Sequence, residues 1–145
     1  MITDDPRELR RDDFAVLRPV PTRWADVDIY GHVNNVVHYA MFDTAVNGWL
    51  IESTGRDIRH EDAVGLVVET GCRYFAELDF PEPVTAGIGL QRLGNSSVSY
   101  RLALFGREES PAATGHFVHV YVDRQTRRPV PVPDVIRRAL QQLTT

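Results

Sequence analysis

The ten residues from Asp26 to Asn35, Asp-Val-Asp-Ile-Tyr-Gly-His-Val-Asn-Asn, hold two carboxylates, an imidazole and two side-chain amides. A run that reads as a helix follows at once, from about Val36 to Glu52. The start of a helix carries backbone N–H groups without intrahelical partners and a partial positive charge. Such N–H groups can polarise a carbonyl oxygen and hold an oxyanion. A carboxylate beside them can activate a water as general base or attack a carbonyl carbon. Together they are the smallest set of groups that performs acyl transfer. Asp26 and Asp28 equally suit turn and capping roles, and spacing alone leaves both readings open. Asp26, Asp28 and His32 have no further ligand at metal-binding spacing, so no metal site is expected.

Other chemistries are excluded more firmly. The chain has no lysine, so Schiff-base catalysis by a lysine is ruled out. It has no nucleophile elbow, no phosphate-binding glycine loop and no dinucleotide fingerprint, and no cofactor is expected. A net charge of −4 argues against a nucleic-acid partner. Cys72 is the one cysteine and cannot form an internal disulfide, which fits a cytoplasmic location; it reads as a small strand residue. No apolar run reaches the roughly 18 residues of a membrane span, and no membrane association is expected. Residues 1–13 read as a charged, frayed tail, and 14–145 as a single domain.

The elements around the polar cluster follow from pattern. Phe14 to Arg23 alternates but holds two prolines, which suggests an edge strand. The helix has apolar residues around most of its circumference and so should be buried. Asn34 or Asn35 would cap its start, and Gly55 would stop it. Four strands are expected next, at about Leu66–Leu78, Val84–Leu90, Val98–Phe105 and Thr114–Asp123. Gly71 is a candidate bulge, and Gly94-Asn95 a turn tolerant of positive φ. A short amphipathic helix would run from Pro133-Asp134 to about Leu143. One long buried helix among strands joined by hairpins gives an α+β fold, an antiparallel sheet curved around a central helix.

The stretch RWADVDIYGHVNNVVHYAMFDTA resembles the start of the hotdog-fold thioesterases of the 4-hydroxybenzoyl-CoA thioesterase type. CRYFAELDFPEPV and LGNSSVSYRLALF continue the resemblance, which spans roughly residues 14–125. It implies the hotdog fold, an acyl-CoA substrate, and a homodimer or homotetramer with the active site at a subunit interface. It places the catalytic acid on Asp28, with Asp26 outside that role. The amides near Asn35 and Val36 would bind the thioester oxygen, while His32 and Asn34 would shape the site or order Asp28. The acyl group would lie near Tyr39, Phe42 and Trp49. Arg92, Asn95, Ser96 and Ser97, or else Arg127 and Arg128, would hold the coenzyme A nucleotide. The family's helix often pairs an acid with an arginine; here the acid is Asp43 but Val46 takes the arginine's place, so Asp43 inherits no role. A non-catalytic acyl-thioester-binding module is the alternative. A hotdog hydratase is less favoured, because its Asp-x-Asn-Pro-x-His stretch is missing.

Overall fold

The structure, a computed structural model, describes residues 5–144. Its elements are β1 (Val16–Val20), α1 (Asn35–Thr54), β2 (Ala63–Tyr74), β3 (Val84–Leu93), β4 (Ser97–Phe105), β5 (Ala113–Asp123) and α2 (Asp134–Leu140). The strands form one antiparallel sheet in the order β1-β3-β4-β5-β2. The period of two along β4 divides its side chains between the faces. Val98, Tyr100, Leu102 and Leu104 join the main core beneath α1, whereas Ala103 and Phe105 join a second apolar cluster on the outer face.

Helix α1 buries Met41, Phe42, Ala45, Val46, Trp49 and Leu50 in the main core. Phe42 meets Phe117 edge-on at 6.1 Å. Gly115 makes that approach possible, since a Cβ there would lie 2.6 Å from the Phe42 ring and 2.7 Å from the Gly71 carbonyl oxygen. The Asn34 side chain accepts a hydrogen bond from Val36 N–H at one end of the helix. At the other, Gly55 turns left-handed at φ 67° and donates its N–H to the Ile51 carbonyl.

The helix is not buried all round. Val36 is 66% exposed, and Ala40, Asp43, Thr44 and Ile51 are also exposed, so one flank lies open. Next to that flank, β2 is an edge strand with Leu66, Val67, Val68 and Tyr74 exposed. Its bulge falls between Val67 and Glu69 rather than at Gly71, which pairs regularly with His116. Gly71 is small for another reason: a Cβ there would lie 2.6 Å from the His116 ring. Gly94 and Asn95 do not take positive φ; among the described residues only Gly31, Gly55 and Arg127 do.

The expected frayed tail is docked from Leu9 onward, while residues 1–4 lie outside the described part. Leu9 and Phe14 pack on Ala103 and Phe105. The Arg11 guanidinium donates to the carbonyls of Gly106 at 2.6 Å and Glu108 at 2.9 Å. Phe14 lies flat against β3 because Gly87 has no side chain; a Cβ there would sit 2.7 Å from the ring. Among the described residues, no helix is long and apolar enough to cross a membrane.

Candidate active site

The loop before α1 is pinned by Asp26. Its carboxylate is 2% exposed and accepts from Arg23 N–H at 2.8 Å and from the Arg23 guanidinium at 3.1 and 2.9 Å. Its backbone carbonyl accepts from Asn34 N–H at 2.9 Å. Val33, buried, donates its N–H to the Leu78 carbonyl at 2.7 Å. Both ends of the loop are thereby fixed, and Asp26 is occupied with holding them.

Asp28 sits between, in a narrow turn. Its N–H donates to the His32 carbonyl at 3.0 Å, and its own carbonyl accepts from Gly31 N–H at 3.1 Å. Gly31 adopts φ 87°, a conformation that a residue with a side chain rarely takes. One carboxylate oxygen, Oδ1, accepts from Tyr30 N–H at 2.9 Å. The other makes no hydrogen bond among the described residues and is available to a reacting group. Ile29, 92% exposed, and Tyr30 form the tip of the turn.

The start of α1 can be accounted for amide by amide. Val36 N–H is taken by the Asn34 side chain at 3.0 Å, and Val37 N–H by the Asn34 carbonyl at 2.9 Å. Asn35 N–H has no partner among the described residues. The neighbouring carbonyls are gripped from outside the helix ladder. His38 Nδ1 stands 3.2 Å from the Asn34 carbonyl, and the Tyr74 hydroxyl donates to the Asn35 carbonyl at 2.9 Å. The two rings meet edge-on at 4.8 Å. Burial lowers the His38 imidazole's proton affinity, with the Asn34 and Asn35 carbonyls pulling the other way. Burial raises the Cys72 thiol, which suits a packing residue rather than a nucleophile.

The expected site residues therefore separate. Asp28, Asn34 and Asn35 come together around the helix start, and the Val36 side chain lies exposed next to it. His32 contributes to Asp28 only through its backbone. Its ring turns away, with Nδ1 at 3.2 Å from the Val33 carbonyl and Nε2 at 3.8 Å from Glu77. Tyr39 is half-buried against the core; Phe42 and Trp49 lie within it. Asn95, Ser96 and Ser97 form a turn toward the Ala63 end of the sheet, whereas Tyr74 and the helix start lie at the other; Arg92 stands between them, in register with Ser99, Val118 and Glu69. The hairpin carbonyls are also in use: Asn95 accepts from Val132 N–H, Ser96 from Tyr121 N–H, and Gly94 from the Arg137 guanidinium. Arg127 and Arg128 occupy an exposed turn after β5. Tyr74 and His38 were not legible as site residues, because only the register of β2 against the helix brings them there.

Comparison with known proteins places this geometry in a family. The thioesterase-like superfamily matches residues 22–140. The PA5185 protein of Pseudomonas aeruginosa is 50% identical, with a TM-score of 0.89 over 92% of this chain and 94% of that one. The PA2801 protein of the same organism is 30% identical, with a TM-score of 0.80 over 88% and 98%. A Thermus thermophilus thioesterase solved with coenzyme A and zinc is 26% identical, with a TM-score of 0.77 over 91% and 96%. With its curved sheet and central helix, the chain belongs to the thioesterase-like superfamily.

Proposed function

We propose that the protein hydrolyses acyl-CoA thioesters to the free acid and coenzyme A, with Asp28 as general base or nucleophile. The observation that carries this reading is the pairing of a half-free carboxylate with one unpaired amide. Asp28 keeps Oδ2 open just ahead of a helix whose first N–H, that of Asn35, is unclaimed. The thioester oxygen would accept from Asn35 N–H, and Asp28 would direct water, or itself, at the carbonyl carbon. Hydrolysis adds water across the C–S bond: the hydroxyl goes to the acyl carbon and the proton to the departing thiol. His38 and Tyr74 hold the carbonyls of that first turn and so keep the donor aimed.

The acting form is a homo-oligomer built on β2. A long, apolar edge strand offers a row of unpaired backbone groups, which a second copy can satisfy. Antiparallel pairing of two β2 strands would set the Tyr74 end of one copy against the Ala63 end of the other. It would also cover the open flank of α1 and complete the site. Arg92 to Ser97 could then serve a neighbouring copy's substrate rather than their own chain's.

The hydratase alternative loses support because the His32 ring faces Glu77, not Asp28. A thiol-release assay across a panel of acyl-CoAs, with wild type and Asp28→Asn, tests the reading. Hydrolysis by wild type and its near-complete loss in a folded Asp28→Asn variant is the expected result. Undiminished turnover in the variant would remove Asp28 from the chemistry. Tight binding without turnover in wild type would instead make this a binding module.

A further inference from the structure

His38 stands on the first turn of α1, buried and covered edge-on by the Tyr74 ring at 4.8 Å. Its Nδ1 lies 3.2 Å from the Asn34 carbonyl oxygen, four residues back. A carbonyl oxygen only accepts, so Nδ1 carries a proton and donates it. The same oxygen also accepts from Val37 N–H at 2.9 Å. This carbonyl belongs to the peptide unit whose N–H is that of Asn35, the amide without a partner among the described residues. The Tyr74 hydroxyl, at 2.9 Å from the Asn35 carbonyl, acts on the next unit along, whose N–H is that of Val36 and is already held by the Asn34 side chain at 3.0 Å. On this turn, therefore, a side chain donates to the carbonyl of a unit with an open N–H only at His38. A hydrogen bond accepted by the oxygen of a peptide unit draws electrons from its nitrogen and makes its N–H a stronger donor.

We propose that His38 is a positioning residue for the thioesterase reading above, on which this assignment rests: through the 34–35 peptide unit it strengthens the Asn35 N–H as donor to the oxyanion. It acts on the peptide and not on the thioester itself. The thioester oxygen gains its charge only as the carbonyl carbon is attacked, so a stronger donor favours the transition state over the bound substrate. The effect therefore belongs to kcat and leaves KM alone. Its size follows from two magnitudes. Losing an oxyanion donor outright costs roughly 100- to 1000-fold in kcat. Polarisation along a chain of hydrogen bonds changes one bond's strength by about 10–30%. That share of the exponent is about a two- to eightfold change in kcat.

Asparagine and leucine have nearly the same shape, but only asparagine donates a hydrogen bond. Asn47, on the same helix, already donates its Nδ2 to the Asp43 carbonyl four residues back at 2.9 Å, so an asparagine at position 38 can reach Asn34 in the same way. With one acyl-CoA as substrate, kcat of His38→Leu should fall about two- to eightfold below that of His38→Asn, with KM the same in both. Equal kcat values, or a difference confined to KM, would overturn the inference. Two further readouts need no turnover. In wild type labelled with ¹⁵N-histidine, the His38 proton should sit on Nδ1, and a proton on Nε2 alone would overturn it. In ¹⁵N–¹H spectra, the Asn35 amide proton should lie downfield in His38→Asn relative to His38→Leu; coincident positions would overturn it too. The tautomer readout on wild type stands even if a variant fails to fold. If wild type releases no thiol from any acyl-CoA, the hydrolytic reading falls, while the amide spectra still decide whether a donor at position 38 strengthens the Asn35 N–H.

Discussion

Acid should weaken this fold through His119, and the size of the effect can be worked out. Burial pushes its imidazole from the ordinary 6.5 down to about 4, with the Asp43 carboxylate on α1 pulling weakly the other way. Tyr100 from β4 also packs against the ring but is uncharged in this range. An unfolded chain protonates this histidine as pH falls through about 6.5, while the folded one resists until about 4. Between those values the unfolded state binds more protons, so stability is full above 6.5 and declines towards pH 4. At about 1.4 kcal/mol per tenfold step in proton affinity, the loss from pH 7 to pH 4 is roughly 3 kcal/mol. His38, also lowered by burial, adds to the decline with the same sign. Asp57, held at about 2 first by its hydrogen bonds to Arg59, acts only below this window. Urea unfolding at pH 7 and pH 4, at one fixed protein concentration, should show the wild type losing more stability than His119→Phe by about that 3 kcal/mol. Parallel declines in the two proteins would show that His119 is not held neutral by burial, and the reasoning would fail.

Further outcomes follow from the same contacts. Asp26→Ala removes a buried acceptor of three hydrogen bonds and should cost about 2 kcal/mol in urea unfolding. Asp28→Asn should stay within about 0.5 kcal/mol of wild type in the same assay, because its exposed turn carries little stability. Asn34→Ala should lower stability by about 1 kcal/mol through loss of the helix cap. Gly115→Ala should cost about 2 kcal/mol, since the new methyl meets the Phe42 ring and the Gly71 carbonyl. Val68→Lys, at the 60%-exposed bulge of β2, should shift sedimentation towards the monomer; an unchanged oligomer would place the interface elsewhere.

What the sequence made legible is local. Asn34, Gly55 and the apolar run between them fixed α1 to within two residues at either end, because caps and helical spacing are written in neighbouring residues. Asp28 is separated from Asp26 in the sequence only through the family pattern; in the structure the two differ in their bonding, Asp26 being engaged by Arg23 and Asp28 by the Tyr30 N–H alone. The gaps in that reading are long-range. Tyr74 reaches Asn35, and the Asn95–Ser97 turn lies toward the far end, only because of strand order and register, which no short stretch encodes. Nothing in the local sequence sets His119 apart, since its lack of partners depends on β4, β5 and α1 together. Residues 1–13 read as a charged, frayed tail because charges dominate them; Leu9, the apolar residue that docks this segment beside Phe14, is a single position among them.

The strand order also has a consequence for how the molecule comes to exist. β3, β4 and β5 form consecutive hairpins, whereas β1 must find β3 across Val16↔Ile88 and β2 must find β5 across Ala63↔Asp123. Closing such long loops costs chain entropy before any contact rewards it, so local hairpins should form early and the two outer strands late. The segment between β1 and β2 carries Asp28 and the helix start. It is synthesised before β3, β4 and β5 and should be secured after them. During translation its apolar helix emerges before the strands that cover it, and such transiently exposed apolar surface is prone to aggregation.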